Sequence, residues 1–393
     1  MITKISGGKV VLEDRIGEDL NVYYQDGVIL EVTGAALPHD REIDAKGRYV
    51  SPGFIDIHSH GGGGADFLDA TPEAFLTASA LHARYGTTTI VPTATSGGLD
   101  EMLEMKRAYE QALSQNEKGA DMPGLHLEGP YFAMGQRGAQ DPKQLRNPDP
   151  AEYMQILENC RHVLRWSSAP ELPGALELGE ELRRRNILAA IGHSDAGWEE
   201  VEAAWKAGYT HVTHLYSGMS SLHRKNAYRY IGVLESAYLI DDMTVEIIAD
   251  GKHLPAELLR FVYKFKGPDR TALITDSMRG AGMPDGPSVL GHYEKGLPVV
   301  IEEEVAKLPD RTSFAGSVAT TDRLVRNMVQ MAKVPLTDAI RMAAATPARI
   351  MGFDDRGRLQ KGLRADIVLF DGEIHVSQVI VGGHSVYSAE KEA

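Results

Sequence analysis

The sequence predicts an α/β protein, a (β/α)8 TIM barrel carrying a small β domain built from both chain ends. Three observations predict it: the middle of the chain alternates short apolar runs with helix-like segments, eight such runs can be counted, and both ends read instead as short strands broken by turns.

At the N-terminal end, residues 9–12, 20–24 and 28–32 are β-rich runs, with Asp26-Gly27 among the breakers between them. The C-terminal end mirrors this at 365–370, 379–381 and 385–387, interrupted by Gly382-Gly383. Pairing of these ends places the small domain at 1–53 and 351–393 and the barrel at 54–350. The eight barrel runs are 54–58, 88–93, 124–128, 163–169, 189–193, 211–214, 245–250 and 271–276. Helical patterns at 71–85, 99–115, 175–185, 198–207 and 258–265 lie between them, and those at 322–332 and 336–345 complete the outer ring. Eight such units favour a closed barrel over an open doubly wound sheet.

Composition narrows the function classes. A chain of 393 residues with 43% hydrophobic and 24% charged residues suits a globular enzyme. The formal net charge of -14 argues against a general binder of nucleic acid or anionic membrane, though not against a small anionic substrate. The single cysteine, Cys160, excludes an internal disulfide and a thiolate metal cluster. No signal pattern opens the chain and no run is apolar enough to span a bilayer, so a soluble cytoplasmic protein is expected.

Active sites of such barrels form at the C-terminal ends of the strands. His58, Glu128, His193, His214, Asp250 and Asp276 each end an apolar run or follow one directly. His58 and His60 form a His-x-His pair, and alternate strand residues point the same way, so both imidazoles can face one ion. Imidazole and carboxylate ligands suit a divalent cation: zinc first, with iron, manganese or cobalt as alternatives. If Glu128 bridges two positions, one or two ions per subunit fit. Asp276 is the candidate acid/base, since a carboxylate beside an activated water can take its proton and pass it to a leaving amine. A helix N-cap is the plainer role for this residue. His253, just past the seventh run, is a candidate substrate contact, whereas Asp250 before Gly251 suits a turn. His211, His82, His126 and His162 read as packed or surface histidines, and Arg183 to Arg185 as a solvated helix face.

The motifs together resemble a known family. Pro52-Gly-Phe-Ile-Asp-Ile-His-Ser-His60 followed by glycines resembles the opening of the amidohydrolase superfamily. His126-Leu-Glu-Gly-Pro130, Gly192-His-Ser194, His214-Leu-Tyr216 with Met219, Asp250-Gly-Lys-His253 and Thr275-Asp276 are similar to the N-acetylglucosamine-6-phosphate deacetylases. Near the end, Ala345-Thr-Pro-Ala348 and Gly362-Leu-Arg-Ala-Asp366 extend the resemblance over nearly the whole chain. It implies a barrel with a small β-sandwich, and hydrolysis of an acetamide to acetate and a free amino sugar. It further implies Glu128, His193 and His214 as ligands of the main metal, His58 and His60 as a second site, Asp276 as the proton carrier and His253 as a contact to sugar or phosphate.

The substrate loop departs from the family pattern. Ser217-Gly218 stand where Asn-Ala is usual, and Gln140 where some members have a substrate-contacting histidine. The family's phosphate arginine, which reaches into the neighbouring subunit of a homodimer, has no matching motif; Arg224, Lys225 and Arg229 keep positive charge nearby. Ser217, Gly218, Gln140, Arg224 and Arg229 are therefore the remaining substrate-binding candidates. The expected substrate is N-acetylglucosamine 6-phosphate, with N-acetylgalactosamine 6-phosphate or an unphosphorylated sugar as alternatives. A cyclic-amide hydrolase would want a lysine on the fourth run, and 163–169 has none. A non-enzymatic scaffold would not need to keep every ligand and the acid/base.

Overall fold

The computed structural model describes residues 1–391 and contains an eight-stranded parallel sheet curled into a barrel. Its strands are β1 (Phe54–Ser59), β2 (Thr87–Ala94), β3 (Leu125–Glu128), β4 (Val163–Ser168), β5 (Leu188–Ile191), β6 (Tyr209–Val212), β7 (Thr244–Ile248) and β8 (Thr271–Ile274). Each pairs with the next in chain order. The ring closes where the Asp276 N–H donates to His58 O at 2.8 Å. Nearly every strand residue is buried, as expected for strands covered on both faces and read as continuous apolar runs.

Helices follow the strands because the sequence starts and stops them locally. Thr71 accepts the Ala74 N–H ahead of Pro72–Arg84, with proline in the first turn, and Asp149 caps Pro150–Asn159 in the same way. Gly208, at φ 122, ends Trp198–Ala207 and lets the chain turn directly into β6.

The chain ends meet as expected. One sheet holds Thr3–Ser6, Asn21–Gln25, Val28–Thr33 and Arg41–Asp44. A second combines Lys9–Val11, Ile16–Gly17 and Tyr49–Pro52 with Ile367–Phe370, Val376–Val381 and His384–Ser388. Ile367 stands opposite Pro52 and Phe370 opposite Tyr49. Ile5, Val22 and Ile29 of the first sheet share one core with Val50, Ile367 and Ile380 of the second.

Two features were not anticipated from the sequence. After β8 the chain forms an antiparallel sheet of Gly286–Leu290, Leu297–Glu302, Val305–Lys307 and Phe314–Ser317. These strands are half-exposed and mix Pro, Ser, Glu and Lys with their apolar residues, so no clean period marks them. After β6 an exposed hairpin pairs His223–Lys225 with Tyr228–Tyr230. Its Asn226 and Ala227 both have positive φ, the backbone a two-residue hairpin turn requires. No helix among the described residues is long and apolar enough to cross a membrane.

Candidate metal centre

The strand ends deliver their polar residues to one point. His193, His214 and Asp276 each lie two residues past the end of β5, β6 and β8, and each has positive φ, at 48°, 28° and 46°. Left-handed backbone at a non-glycine residue costs about 1–3 kcal/mol and persists where the surroundings impose it. Three repeats of one strained turn aim three side chains at the barrel mouth. His58 and Glu128 come from the last residues of β1 and β3, with His60 just beyond β1.

Glu128 is the hub. Its Oε1 lies 3.0 Å from His214 Nε2, 3.3 Å from His193 Nε2 and 3.5 Å from His58 Nε2, and its Oε2 lies 3.5 Å from His60 Nε2. Asp276 Oδ1 stands 3.1 Å from His60 Nε2 and 3.4 Å from His58 Nε2. Two overlapping groups result, His58–His60–Glu128 and Glu128–His193–His214, each with its ligand atoms within 4.8 Å of one another. All of these residues are buried.

Hydrogen bonding behind the rings decides what their front atoms can hold. His193 Nδ1 donates to Gln136 O at 2.8 Å, and His214 Nδ1 to Ser217 O at 3.1 Å. A carbonyl only accepts, so Nδ1 carries the proton in both rings. Each Nε2 is then left for a second proton or a cation. The two Nε2 atoms are 3.2 Å apart, so at most one hydrogen fits between them. His58 Nε2, fully buried, has no hydrogen-bond partner at all. Burial opposes the charged form of His60, yet the neighbouring Asp276 and Glu128 carboxylates outweigh it and raise this imidazole to about 9. A divalent cation would take the place of the proton that these carboxylates draw onto His60, and the converging nitrogen atoms and carboxylates fit it.

The other predicted residues divide cleanly. A cavity of about 420 Å³ opens on the centre and is lined by His60, Glu128, His193, His214 and Asp276 together with Gln140, Ser217, Gly218 and His253. Gln140 does more than line it: its Nε2 donates to Glu128 Oε2 at 2.8 Å while its Oε1 accepts the Ser96 N–H at 3.0 Å. Asp250 Oδ2 accepts from His253 Nδ1 at 2.8 Å and its Oδ1 takes the N–H groups of Lys252 and His253, so the turn residue also orients the contact residue. Arg224 and Arg229 sit on the exposed hairpin and are not among the lining residues of this cavity.

Sequence reasoning missed four residues. Lys307 and Arg311, on the antiparallel sheet and its last loop, line the cavity along with Thr312, Ser313 and Phe314. Both cations pair with Glu302, at 3.3 Å each. Arg165 of β4 and Glu246 of β7 form a buried ion pair inside the barrel, and Glu246 Oε1 also accepts from His58 Nδ1 at 2.8 Å. Opposite charges inside two otherwise apolar runs were the available signal. His211, expected to be packed, joins the same pair through Nε2 at 3.2 Å from Glu246 Oε2.

The chain resembles known proteins along nearly its whole length. The amidohydrolase family matches residues 49–386. An N-acetylgalactosamine-6-phosphate deacetylase of Escherichia coli O157:H7 is 34% identical over 379 residues, covering 95% of this chain and 97% of that protein. An N-acetylglucosamine-6-phosphate deacetylase of Bacillus subtilis is 31% identical over 390 residues, covering 97% and 96%. Among solved structures, a mutant N-acetyl-D-glucosamine-6-phosphate deacetylase of Mycobacterium smegmatis, in complex with N-acetyl-D-glucosamine-6-phosphate, superposes with a TM-score of 0.89 at 31% identity, covering 99% of both chains.

Proposed function

The chain belongs to the amidohydrolase family, among its N-acetylglucosamine-6-phosphate deacetylases, and from that premise we propose that it hydrolyses the acetamide of N-acetylglucosamine 6-phosphate to glucosamine 6-phosphate and acetate. The observation that carries the reading is the hub itself: Glu128 with four histidine nitrogens around it and Asp276 alongside, at the floor of an open cavity.

Glu128, His193 and His214 would hold a divalent cation, which would supply Lewis acidity for the amide carbonyl and the attacking water. Zinc is our first choice, with iron, manganese or cobalt in its place, and a second ion would use His58, His60 and Glu128. Asp276 takes one proton from the attacking water and gives it to the amide nitrogen as the C–N bond breaks, and the water's other proton passes from the new carboxylic acid to the amine, leaving acetate and the ammonium form of the sugar. His253, held by Asp250, would bond the sugar, and the Ser217-Gly218 backbone would line its path. Gln140 would steady Glu128 from the cavity side as well as face the substrate.

Lys307 and Arg311 bring positive charge to the cavity from the same subunit, which suits a 6-phosphate. Arg224 and Arg229 stand outside their own cavity on the hairpin, so in a homodimer they would serve the partner's cavity. The chain would divide into a terminal β domain (1–53 and 351–393) and a catalytic barrel (54–350), and would work in the cytoplasm.

A second reading, N-acetylgalactosamine 6-phosphate as substrate, is favoured by the 34% identity to the Escherichia coli O157:H7 relative. One panel tests both: acetate release from N-acetylglucosamine and N-acetylgalactosamine, each with and without the 6-phosphate. Preference for the glucosamine phosphate supports the proposal, preference for the galactosamine phosphate replaces it with the second reading, and preference for bare sugars overturns both.

A further inference from the structure

The barrel interior beneath the cavity holds a polar cluster that the reaction does not itself require. Glu246 is fully buried and receives five donors. Its Oε1 accepts His58 Nδ1–H at 2.8 Å, Arg165 Nη2–H at 2.8 Å and the His214 backbone N–H at 3.2 Å. Its Oε2 accepts His211 Nε2–H at 3.2 Å and Arg165 Nη1–H. Arg165 is itself tied to Thr213 Oγ1 at 3.0 Å and Ile57 O at 3.3 Å, and His211 Nδ1 meets Thr244 Oγ1 at 2.8 Å. These bonds join β1, β4, β6 and β7, which are not all neighbours, so they cross the barrel interior.

We propose that Glu246, clamped by Arg165 and His211, is a positioning residue that fixes His58 as an Nδ1–H donor and thereby turns its Nε2 toward the cation position shared with His60 and Glu128. The proposal rests on the metal reading above. The arrangement fits this role better than plain core stabilisation. A buried ion pair needs only each other's charge, and hydrophobic residues often replace such pairs without loss. Here the carboxylate also holds the ring of a ligand, His58, through its Nδ1. Arg165 supplies the neutralising charge, so the carboxylate can stay deep in the barrel as an acceptor of fixed position. The His58 ring is confined by His126 too, whose ring packs nearly perpendicular to it at 4.6 Å between centroids. Hydrogen bonds to the far nitrogen of a metal-ligating histidine fix its tautomer, and their loss typically lowers metal affinity about 10- to 100-fold.

The test is zinc titration against a competing chelator on the full chain, with zinc per subunit counted by mass spectrometry. Glu246→Gln is compared with wild type, and so is the pair Glu246→Leu with Arg165→Met, which removes both buried charges together. The expected result is one equivalent held as in wild type and a second weakened about 10- to 100-fold. Unchanged affinity for both equivalents overturns the proposal, as does parallel loss of both, or a wild type that binds a single ion. Should neither variant fold, histidine 15N spectra of the zinc-loaded wild type decide: His58 protonated on Nδ1 supports the proposal, and His58 protonated on Nε2 overturns it. Zinc affinity is read without substrate, so failure here is distinct from failure of the deacetylase reading, which the wild type's sugar panel reports.

Discussion

Replacing Asp276 with asparagine is the sharpest test of the chemistry. The two side chains have nearly the same shape, so packing in the cavity should survive. What changes is basicity. Burial works against the Asp276 carboxylate, but His58 and His60 beside it hold it below its ordinary range, so it is ionised at neutral pH and ready to accept a proton. Asparagine cannot accept one. A positioned general acid/base contributes about 10²- to 10⁴-fold, which corresponds to about 3–5 kcal/mol of barrier. Asp276 serves in both proton transfers, toward the water and toward the amine, so the loss should fall at the upper end of that range. Glu128, His193 and His214 do not depend on Asp276, and their cation should remain. The assay is steady-state release of acetate from N-acetylglucosamine 6-phosphate, with metal content measured on the same sample. The expected outcome is kcat reduced by about 10³-fold or more with one bound ion retained. Asp276→Asn at wild-type rate would refute the assignment.

Three further outcomes are expected. Removing the divalent ion with a chelator should abolish acetate release and a stoichiometric return of zinc should restore it; activity that persists in a chain shown by mass spectrometry to be metal-free would contradict the site. Lys307→Ala with Arg311→Ala should raise KM for the 6-phosphorylated sugar about tenfold or more, on the scale of lost charge-assisted hydrogen bonds, and leave KM for the unphosphorylated sugar unchanged; equal effects on both would remove these residues from the phosphate. Finally, burial lowers His82 to about 4, with its Nδ1 left without a partner, while in the unfolded chain it titrates near its ordinary 6.5. The unfolded state therefore binds the extra proton, so this contribution, about 3 kcal/mol, is fully present above pH 6.5 and is lost as the pH falls through 4. Ring resonances of His82 in the folded protein should stay in the neutral form at pH 5, and a midpoint near 6.5 would dismiss the claim.

The barrel was legible because both faces of its strands are covered, which writes each strand as an apolar run with a polar residue at its end. His193, His214 and Asp276 stand out for that reason, although the positive φ that aims them is invisible in a list of residue types. Arg224 and Arg229 follow His214 closely in sequence, yet a hairpin holds them outside their own subunit's cavity, which residue order alone does not show. Lys307 and Arg311 were hidden for the opposite reason: they arrive at the site from a half-exposed antiparallel sheet beyond the last barrel strand. Glu246 sat in plain view inside an apolar run, but its meaning depends on Arg165 and His58, which only closure of the barrel brings to it.

The seam between Tyr49–Pro52 and Ile367–Phe370 bears on how the chain is made. On the order of 300 residues separate its two edges, and a ribosome adding ~5–20 residues per second needs ~15–60 seconds to bridge them. Throughout that interval Tyr49–Pro52 and Lys9–Val11 lack the C-terminal half of their sheet, with Val10, Val50 and Ile5 awaiting Ile367 and Ile380. The terminal domain thus cannot be finished until Ile367–Phe370 has emerged, although its strands Lys9–Val11 and Tyr49–Pro52 emerge before the barrel. A nascent chain held short of residue 367 would carry an open strand edge, and that edge is where misassembly during synthesis should begin.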